Sequence, residues 1–200
     1  QKKKLYGKIL LPTALAAALL SLTACGSGDS NNASTIASIT NESSAVSTVN
    51  GEVPYTFFDD AVFVGDSVSL KLNLYVSAQR KNDNAFMGTA QFLTPGSYGT
   101  GNELKELGSD NSVHPSYNGT EMYLADAIEA MGAKKVFIML GMNDIAVYGN
   151  DGAVKNMETV LAQIKEKNPD TTIYVQSMTP IVGTAQTGSL TNENLNIYNT

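Results

Sequence analysis

From residue 53 onward, segments in which apolar residues form short runs alternate with segments in which they recur at helical spacing. Short runs rich in β-branched and aromatic residues predict a buried strand at residues 60–65 and further strands at residues 90–94, 135–140 and 172–176. Apolar positions at helical spacing predict helices at residues 67–79, 118–131 and 151–167, with another beginning after Thr191, which can cap it. Strands that alternate with helices predict a parallel sheet covered on both faces, an α/β/α three-layer sandwich.

The first 25 residues have the pattern of an export signal rather than of a folded element. A lysine-rich head precedes an apolar stretch over residues 9–22, which is too short to span a bilayer comfortably. The stretch runs into Leu-Thr-Ala-Cys25-Gly, which resembles a bacterial lipobox, where the cysteine receives a diacylglycerol. The alternative is a signal peptide with an incidental cysteine. We expect an extracytoplasmic protein anchored to the bacterial cell membrane by lipid on Cys25.

Residues 26–52 differ in composition from the rest of the chain, being rich in Ser, Thr, Asn, Ala and Gly. Such a segment has too little apolar surface to offset its ordering entropy, and it predicts a flexible tether. A poorly patterned strand near residues 35–40 is the alternative. The folded domain is expected over residues 53–200.

Charge and composition exclude several classes of function. The net charge is -6 and the pI is about 4.7, and no Lys or Arg occurs between Lys8 and Lys71. Nucleic acid is therefore not expected as a partner, because phosphate binding requires clustered cations. A single cysteine excludes an internal disulfide. No zinc-like spacing and no G-x-G-x-x-G pattern occurs, so neither a metal nor a cofactor is expected.

The first candidate for chemistry is Gly65-Asp66-Ser67, at the junction of the first strand and the first helix. A serine at a helix start exposes its hydroxyl at a strand tip, where backbone N–H groups and the helix dipole can stabilise an oxyanion. The alternative is a serine that only caps the helix.

Two further polar groups are expected at the same sheet edge. Strand 135–140 leads into Gly-Met-Asn143-Asp144, and the Asn143 amide can donate hydrogen bonds to a developing negative charge, or can form an Asx turn. The weaker strand 90–94 is followed by Pro-Gly96-Ser-Tyr98-Gly99, where a glycine N–H is a further candidate donor.

Gly-Asp-Ser, a glycine-rich turn and Gly-x-Asn-Asp, in this order at three strand tips, resemble the blocks of the SGNH/GDSL hydrolase family. The resemblance implies a flavodoxin-like fold, Ser67 as nucleophile, and an oxyanion hole formed by the N–H of Ser67, Gly99 and Asn143. Gly96 is the alternative to Gly99. The resemblance covers residues from about 57 onward, and residues 112–144 resemble a clostridial lipoprotein branch.

The family's last block, Asp-x-x-His, is absent from the 200 residues. We therefore expect a fragment in which the C-terminal part of the domain, with the catalytic Asp and His, is missing. His114 is the chain's only histidine, and a packing role is the alternative to its acting as base. Three tyrosines near the expected crevice, Tyr98, Tyr117 and Tyr148, are candidates either to stack on a sugar or to cover the sheet edge.

The resemblance implies an enzyme, a carboxylic ester hydrolase that forms an acyl-Ser67 intermediate. Together with the membrane-tethered setting, it favours O-acetyl or similar esters on carbohydrate or cell-wall glycan, or another small ester. Two alternatives are an O-acyltransferase that uses the same serine and a non-catalytic glycan-binding lipoprotein on a hydrolase-like scaffold.

Overall fold

The computed structural model describes residues 52–200. The predicted signal sequence, Cys25 and nearly all of the predicted tether lie outside the described residues, as does the alternative strand near residues 35–40. Tyr55–Thr200 form one compact unit. Over residues 52–200, no helix combines the length and apolar character that a membrane span requires.

Helices and strands follow one another along the folded unit, joined by loops that are longest at residues 80–90 and 104–115. In chain order they are a 3-10 turn at Tyr55–Phe58, β1 at Ala61–Gly65, α1 at Ser67–Gln79, β2 at Gln91–Leu93, α2 at Thr100–Glu103, β3 at Ser116–Tyr117, β4 at Thr120–Glu121, α3 at Leu124–Met131, β5 at Lys135–Met139, α4 at Met142–Lys167, β6 at Thr172–Val175, a second 3-10 turn at Gly183–Ala185 and α5 at Asn192–Tyr198.

The main sheet has four parallel strands in the order β2-β1-β5-β6, and β3 and β4 pair separately as an antiparallel hairpin. Counted along the chain, the main sheet has the order 2-1-3-4, which is that of a flavodoxin-like sheet. Helices flank it. The predicted α/β fold with a parallel sheet is confirmed.

Strand residues alternate between two apolar layers, as the pleat of a sheet requires. Val62, Val64, Val136 and Ile138 belong to a buried cluster that includes residues of α3 and α4. The residues between them are aromatic: the rings of Phe63 and Phe137 stack with centroids 4.8 Å apart. The 3-10 turn supports this aromatic layer, because Phe58 lies against both rings.

The prediction of a helix at residues 118–131 is wrong for the first half of that range. Asn118 and Gly119 have φ angles of 50° and 80°, and they form the turn between β3 and β4, so α3 begins only at Leu124. Two consecutive residues with positive φ are what a tight type I′ hairpin turn needs, and Asn-Gly is its preferred pair.

The helix predicted at residues 151–167 is the second part of a longer element. Helix α4 begins at Met142, and Gly149, with φ 67° and ψ -178°, interrupts it as a kink. At the C-terminal end, α5 begins where predicted, and its first turn is capped by the Thr191 hydroxyl, which accepts a hydrogen bond from the Asn194 N–H at 3.1 Å.

Candidate active site

Three loops meet at the carboxyl-terminal edge of the parallel sheet. They follow β1, β2 and β5, and they carry Ser67, Gly99 and Asn143 respectively. The strand order reverses between β1 and β5, since the chain moves from β1 to one neighbour and returns to the other side. Ligand crevices of open α/β sheets form at such a switch point. Ser67 and Asn143 follow the two strands that border it.

Ser67 is the first residue of α1, and its side chain is exposed. The interpretation of Ser67 as the helix cap is wrong, because Asp66 is the cap: its Oδ1 accepts a hydrogen bond from the Val68 N–H at 2.8 Å. Gly65 allows this sharp junction, since a Cβ there would lie 2.0 Å from the Ser69 Oγ. The Ser67 hydroxyl is thereby left free at the tip of β1.

Asn143 connects all three loops through its side chain. Its Nδ2 donates to the Tyr98 carbonyl at 2.8 Å and lies 3.5 Å from the Asp66 Oδ2. The amide therefore lies beside the residue that precedes Ser67 and the residue that precedes Gly99. No Asx turn is involved, since Asn143 lies in the first turn of α4. Gly141, the N-cap of this helix, has a φ of 139°, a conformation that favours glycine.

Asp144 anchors the second loop to α4, a role that the sequence did not reveal. This buried carboxylate accepts hydrogen bonds from the N–H groups of Thr100, at 2.9 Å, and Gly101, at 2.7 Å. It thus satisfies two orphan donors of the short helix α2. The one available signal was its place directly after Asn143, which does not distinguish a buried cap from a surface acid.

The two candidate glycines differ in their surroundings. Gly99 is buried, and a Cβ there would lie 2.8 Å from the Asp144 Oδ2, so the close approach of loop and helix requires glycine. Gly96 is exposed, with nothing within 4 Å of where its Cβ would be. Within the described residues, the N–H groups of Ser67 and Gly99 have no hydrogen-bond acceptor.

A network of buried polar groups holds the loop that carries Gly99. Tyr98 is fully buried, and its hydroxyl donates to the Glu103 Oε2 at 2.8 Å, while the Glu103 Oε1 accepts from the Leu124 N–H at 2.6 Å. Burial raises the pKa of both the Tyr98 hydroxyl and the Glu103 carboxyl. The prediction that Tyr98 stacks on a sugar is therefore wrong. Of the other two candidate tyrosines, Tyr148 is largely exposed and Tyr117 is half-buried in β3.

His114 belongs to the same network. Its Nδ1 lies 3.3 Å from the Glu103 Oε2, and its ring packs edge-on against Tyr123. The side chain is buried, and its Nε2 has no hydrogen-bond partner within residues 52–200. These contacts favour the packing role for the chain's only histidine.

Asp66 is the carboxylate nearest to the proposed nucleophile in sequence. Burial raises its pKa, with a smaller contribution from the negative charge of Asp144, while the hydrogen bond from the Val68 N–H acts in the opposite direction. Tyr198 closes the other side of the edge, where its hydroxyl donates to the Leu140 carbonyl at 3.0 Å. Burial, followed by the charge of Asp144, raises the pKa of Tyr198 to about 12. Both residues help to hold the loops in place.

Comparison with known proteins identifies a distant structural similarity and no family. No family model matches the chain. No curated protein matches it either. Among solved structures, a protein from Streptococcus pneumonia, described provisionally as a platelet activating factor, is similar with a TM-score of 0.44 and 18% sequence identity. The alignment covers 70% of this chain and 56% of that chain, so this chain spans little more than half its length. The fold assignment therefore rests on strand order and register.

Proposed function

We propose that the protein is a serine esterase that hydrolyses acyl esters, with Ser67 as nucleophile. The observation that carries the proposal is an exposed serine at the tip of β1 that does not cap its helix, directly after an aspartate whose carboxylate lies 3.5 Å from the Asn143 amide. A serine that merely capped α1 would have its oxygen engaged with the helix N-terminus. Here Asp66 has that task.

In the proposed reaction the Ser67 Oγ attacks the ester carbonyl carbon, and its proton passes to a general base. The tetrahedral oxyanion accepts hydrogen bonds from the N–H groups of Ser67 and Gly99 and from the Asn143 amide. The carbon–oxygen bond to the alcohol breaks, and the alcohol leaves with the proton from the base. Water then releases the acyl group from Ser67 as a carboxylic acid.

The Asn143 amide has a donor to spare for this task. An amide nitrogen carries two hydrogens, and the strong bond to the Tyr98 carbonyl uses one of them. The other is directed at the Asp66 Oδ2, where the distance of 3.5 Å marks a weak interaction. A developing oxyanion can replace it.

The base is assigned by the resemblance to the SGNH/GDSL family, and not by the residues described. The 200 residues contain no Asp-x-x-His block, so the identity of the base rests on the resemblance alone. Without a base, a serine hydroxyl is a weak nucleophile. The 200-residue chain is therefore expected to be nearly inactive on p-nitrophenyl acetate while the full-length protein is active. Equal turnover would contradict this assignment.

For the substrate we propose O-acetyl esters on carbohydrate or cell-wall glycan, and for the setting a lipid anchor on Cys25 at the outer side of a bacterial membrane. The polar lining of the crevice supports a hydroxyl-rich substrate, since Asn143, Asn102 and Ser97 all border the same cavity.

Replacing the serine tests the proposal directly. In the full-length protein, Ser67→Ala is expected to lower the turnover of p-nitrophenyl acetate at least about a thousandfold, because the covalent step is lost. Acetate release from an acetylated oligosaccharide should fall in parallel. Ser77→Ala is the matched control, since Ser77 is an exposed serine on the same helix.

An unchanged rate in Ser67→Ala would refute the nucleophile. Acetate that is released only when an acceptor sugar is present would indicate an acyltransferase instead. Binding of the oligosaccharide without any acetate release would indicate a glycan-binding protein on this scaffold.

A further inference from the structure

A cavity of about 300 Å³ adjoins the proposed oxyanion hole. Gly99 and Asn143 form part of its wall, and the rest comes from Ser97, Asn102 and Lys105 around the short helix α2 and from the first turns of α4. Ligand pockets in proteins have volumes of roughly 300–1,000 Å³. The cavity is therefore of the size of a small ligand, such as one sugar unit, placed directly beside the proposed site of acyl transfer.

The cavity contains an unneutralised cation. Lys105 lines it, and it is the only Lys or Arg between Lys81 and Lys134. Its Nζ donates to the Asn111 carbonyl at 2.9 Å, and no carboxylate of residues 52–200 forms a salt bridge with it. An ammonium group has three donors, so two remain for a ligand. The contact with Asn111 holds the charge in place without neutralising it.

The one carboxylate in the wall does not serve as the partner of Lys105. Both oxygens of Asp144 accept hydrogen bonds from the backbone of α2, at 2.9 Å from Thr100 and 2.7 Å from Gly101. Glu106 and Asp110 follow Lys105 closely in sequence, yet they are exposed and form no ion pair with it. In a chain of net charge -6, a lysine without a carboxylate partner is available for an anion from outside.

The remaining polar groups of the wall suit a sugar. Asn102 donates its Nδ2 to the Ser97 carbonyl at 2.8 Å, which leaves its side-chain oxygen as an acceptor. Ser97 contributes a hydroxyl, and the exposed ring of Tyr148 contributes an apolar surface. An acceptor, a hydroxyl and an aromatic face are the groups that bind sugar hydroxyls and the face of a sugar ring.

We propose that this cavity binds a sugar unit that carries a carboxylate, with Lys105 as the partner of that carboxylate. Such a carboxylate has two common chemical sources, a lactyl ether on the ring and the oxidised C6 of a uronic acid. The inference deepens the proposed function and rests on it only in one respect: the ester to be cleaved would lie on the same or the next sugar unit, within reach of Ser67.

Binding of matched sugar pairs by the full-length protein tests the inference without catalysis. N-acetylmuramic acid differs from N-acetylglucosamine by a lactyl ether, and glucuronic acid differs from glucose by a C6 carboxylate. Titration calorimetry is expected to show that the acid of at least one pair binds roughly tenfold more tightly than its neutral partner, the factor that a hydrogen bond to a charged group provides. The pair that shows the preference identifies the source of the carboxylate.

Two variants locate the preference. Lys105→Met is expected to reduce the ratio of acid to neutral affinity to about one, since its side chain keeps a similar length but lacks the charge. Lys155→Met is the matched control, because Lys155 is an exposed lysine of α4 outside the cavity. Equal affinity for acid and neutral sugars in both pairs would overturn the inference, as would an equal loss of preference in the two variants.

Hydrolysis of the O-acetylated forms of the same sugars separates this inference from the proposed function. An acid preference that depends on Lys105, without any acetate release, would refute the esterase and leave the inference standing. Acetate release without an acid preference in binding would refute the inference and leave the esterase standing.

Discussion

At the scale of single residues, close approaches decide which side chains the edge of the sheet can hold. Gly65 and Gly99 lie where a Cβ would meet another side chain, at 2.0 Å from Ser69 and 2.8 Å from Asp144. Approaches this close let a loop and a helix share the small space around Ser67 and Asn143. The proposed chemistry depends on these contacts, because an oxyanion donor must be in place before the reaction.

Removing the Asn143 amide tests this arrangement. In the full-length protein, Asn143→Ala is expected to lower kcat about a hundredfold, because one oxyanion donor contributes on the order of 3 kcal/mol to lowering the barrier. The measurement is steady-state kinetics on p-nitrophenyl acetate, with circular dichroism to confirm that the fold is intact. A kcat equal to that of the wild type would show that Asn143 is not an oxyanion donor.

At the scale of elements, the capping residue Thr191 predicted the start of α5, and periodicity predicted the strands and the start of α1. It failed where local backbone chemistry prevails. Asn118-Gly119 forms a hairpin turn inside a stretch with helical spacing, and Gly149 divides one helix into two parts. The signal for the hairpin was present in the Asn-Gly pair.

The site itself was predictable only in part. Ser67, Gly99 and Asn143 follow strands, so their meeting at one edge could be expected from a parallel sheet. Glu103 and Asp144 could not be found in this way, since an isolated acidic residue in the sequence carries no mark of burial. Their roles depend on which backbone N–H groups the fold leaves unpaired nearby.

Helix α2 gives a prediction at this scale. Asp144→Ala leaves two backbone N–H groups of α2 without an acceptor, so the free energy of unfolding is expected to fall by about 1–3 kcal/mol. Urea denaturation measures the change. Asp110→Ala is the control, because Asp110 is exposed and forms no ion pair in the described residues, and it should stay within about 0.5 kcal/mol of the wild type. Equal effects would show that the Asp144 bonds do not stabilise the fold.

At the scale of the whole molecule, the polar groups of separate chain segments lie together at one edge of the sheet. The order β2-β1-β5-β6 places the loops after β1, β2 and β5 side by side, and α5 closes that edge through the bond from Tyr198 to the Leu140 carbonyl. The sheet supplies rigidity, and the loops supply the polar groups. In α/β proteins, functional residues commonly lie on loops at the carboxyl ends of a rigid sheet, so a nucleophile is expected at this edge.

The role of Ser67 as nucleophile is tested most directly by covalent labelling of the full-length protein with a fluorophosphonate, followed by peptide mapping by mass spectrometry. We expect a single adduct on the peptide that contains Ser67, absent in Ser67→Ala and formed more slowly in Asn143→Ala. An adduct on another serine, or no adduct at all on a folded protein, would contradict this role.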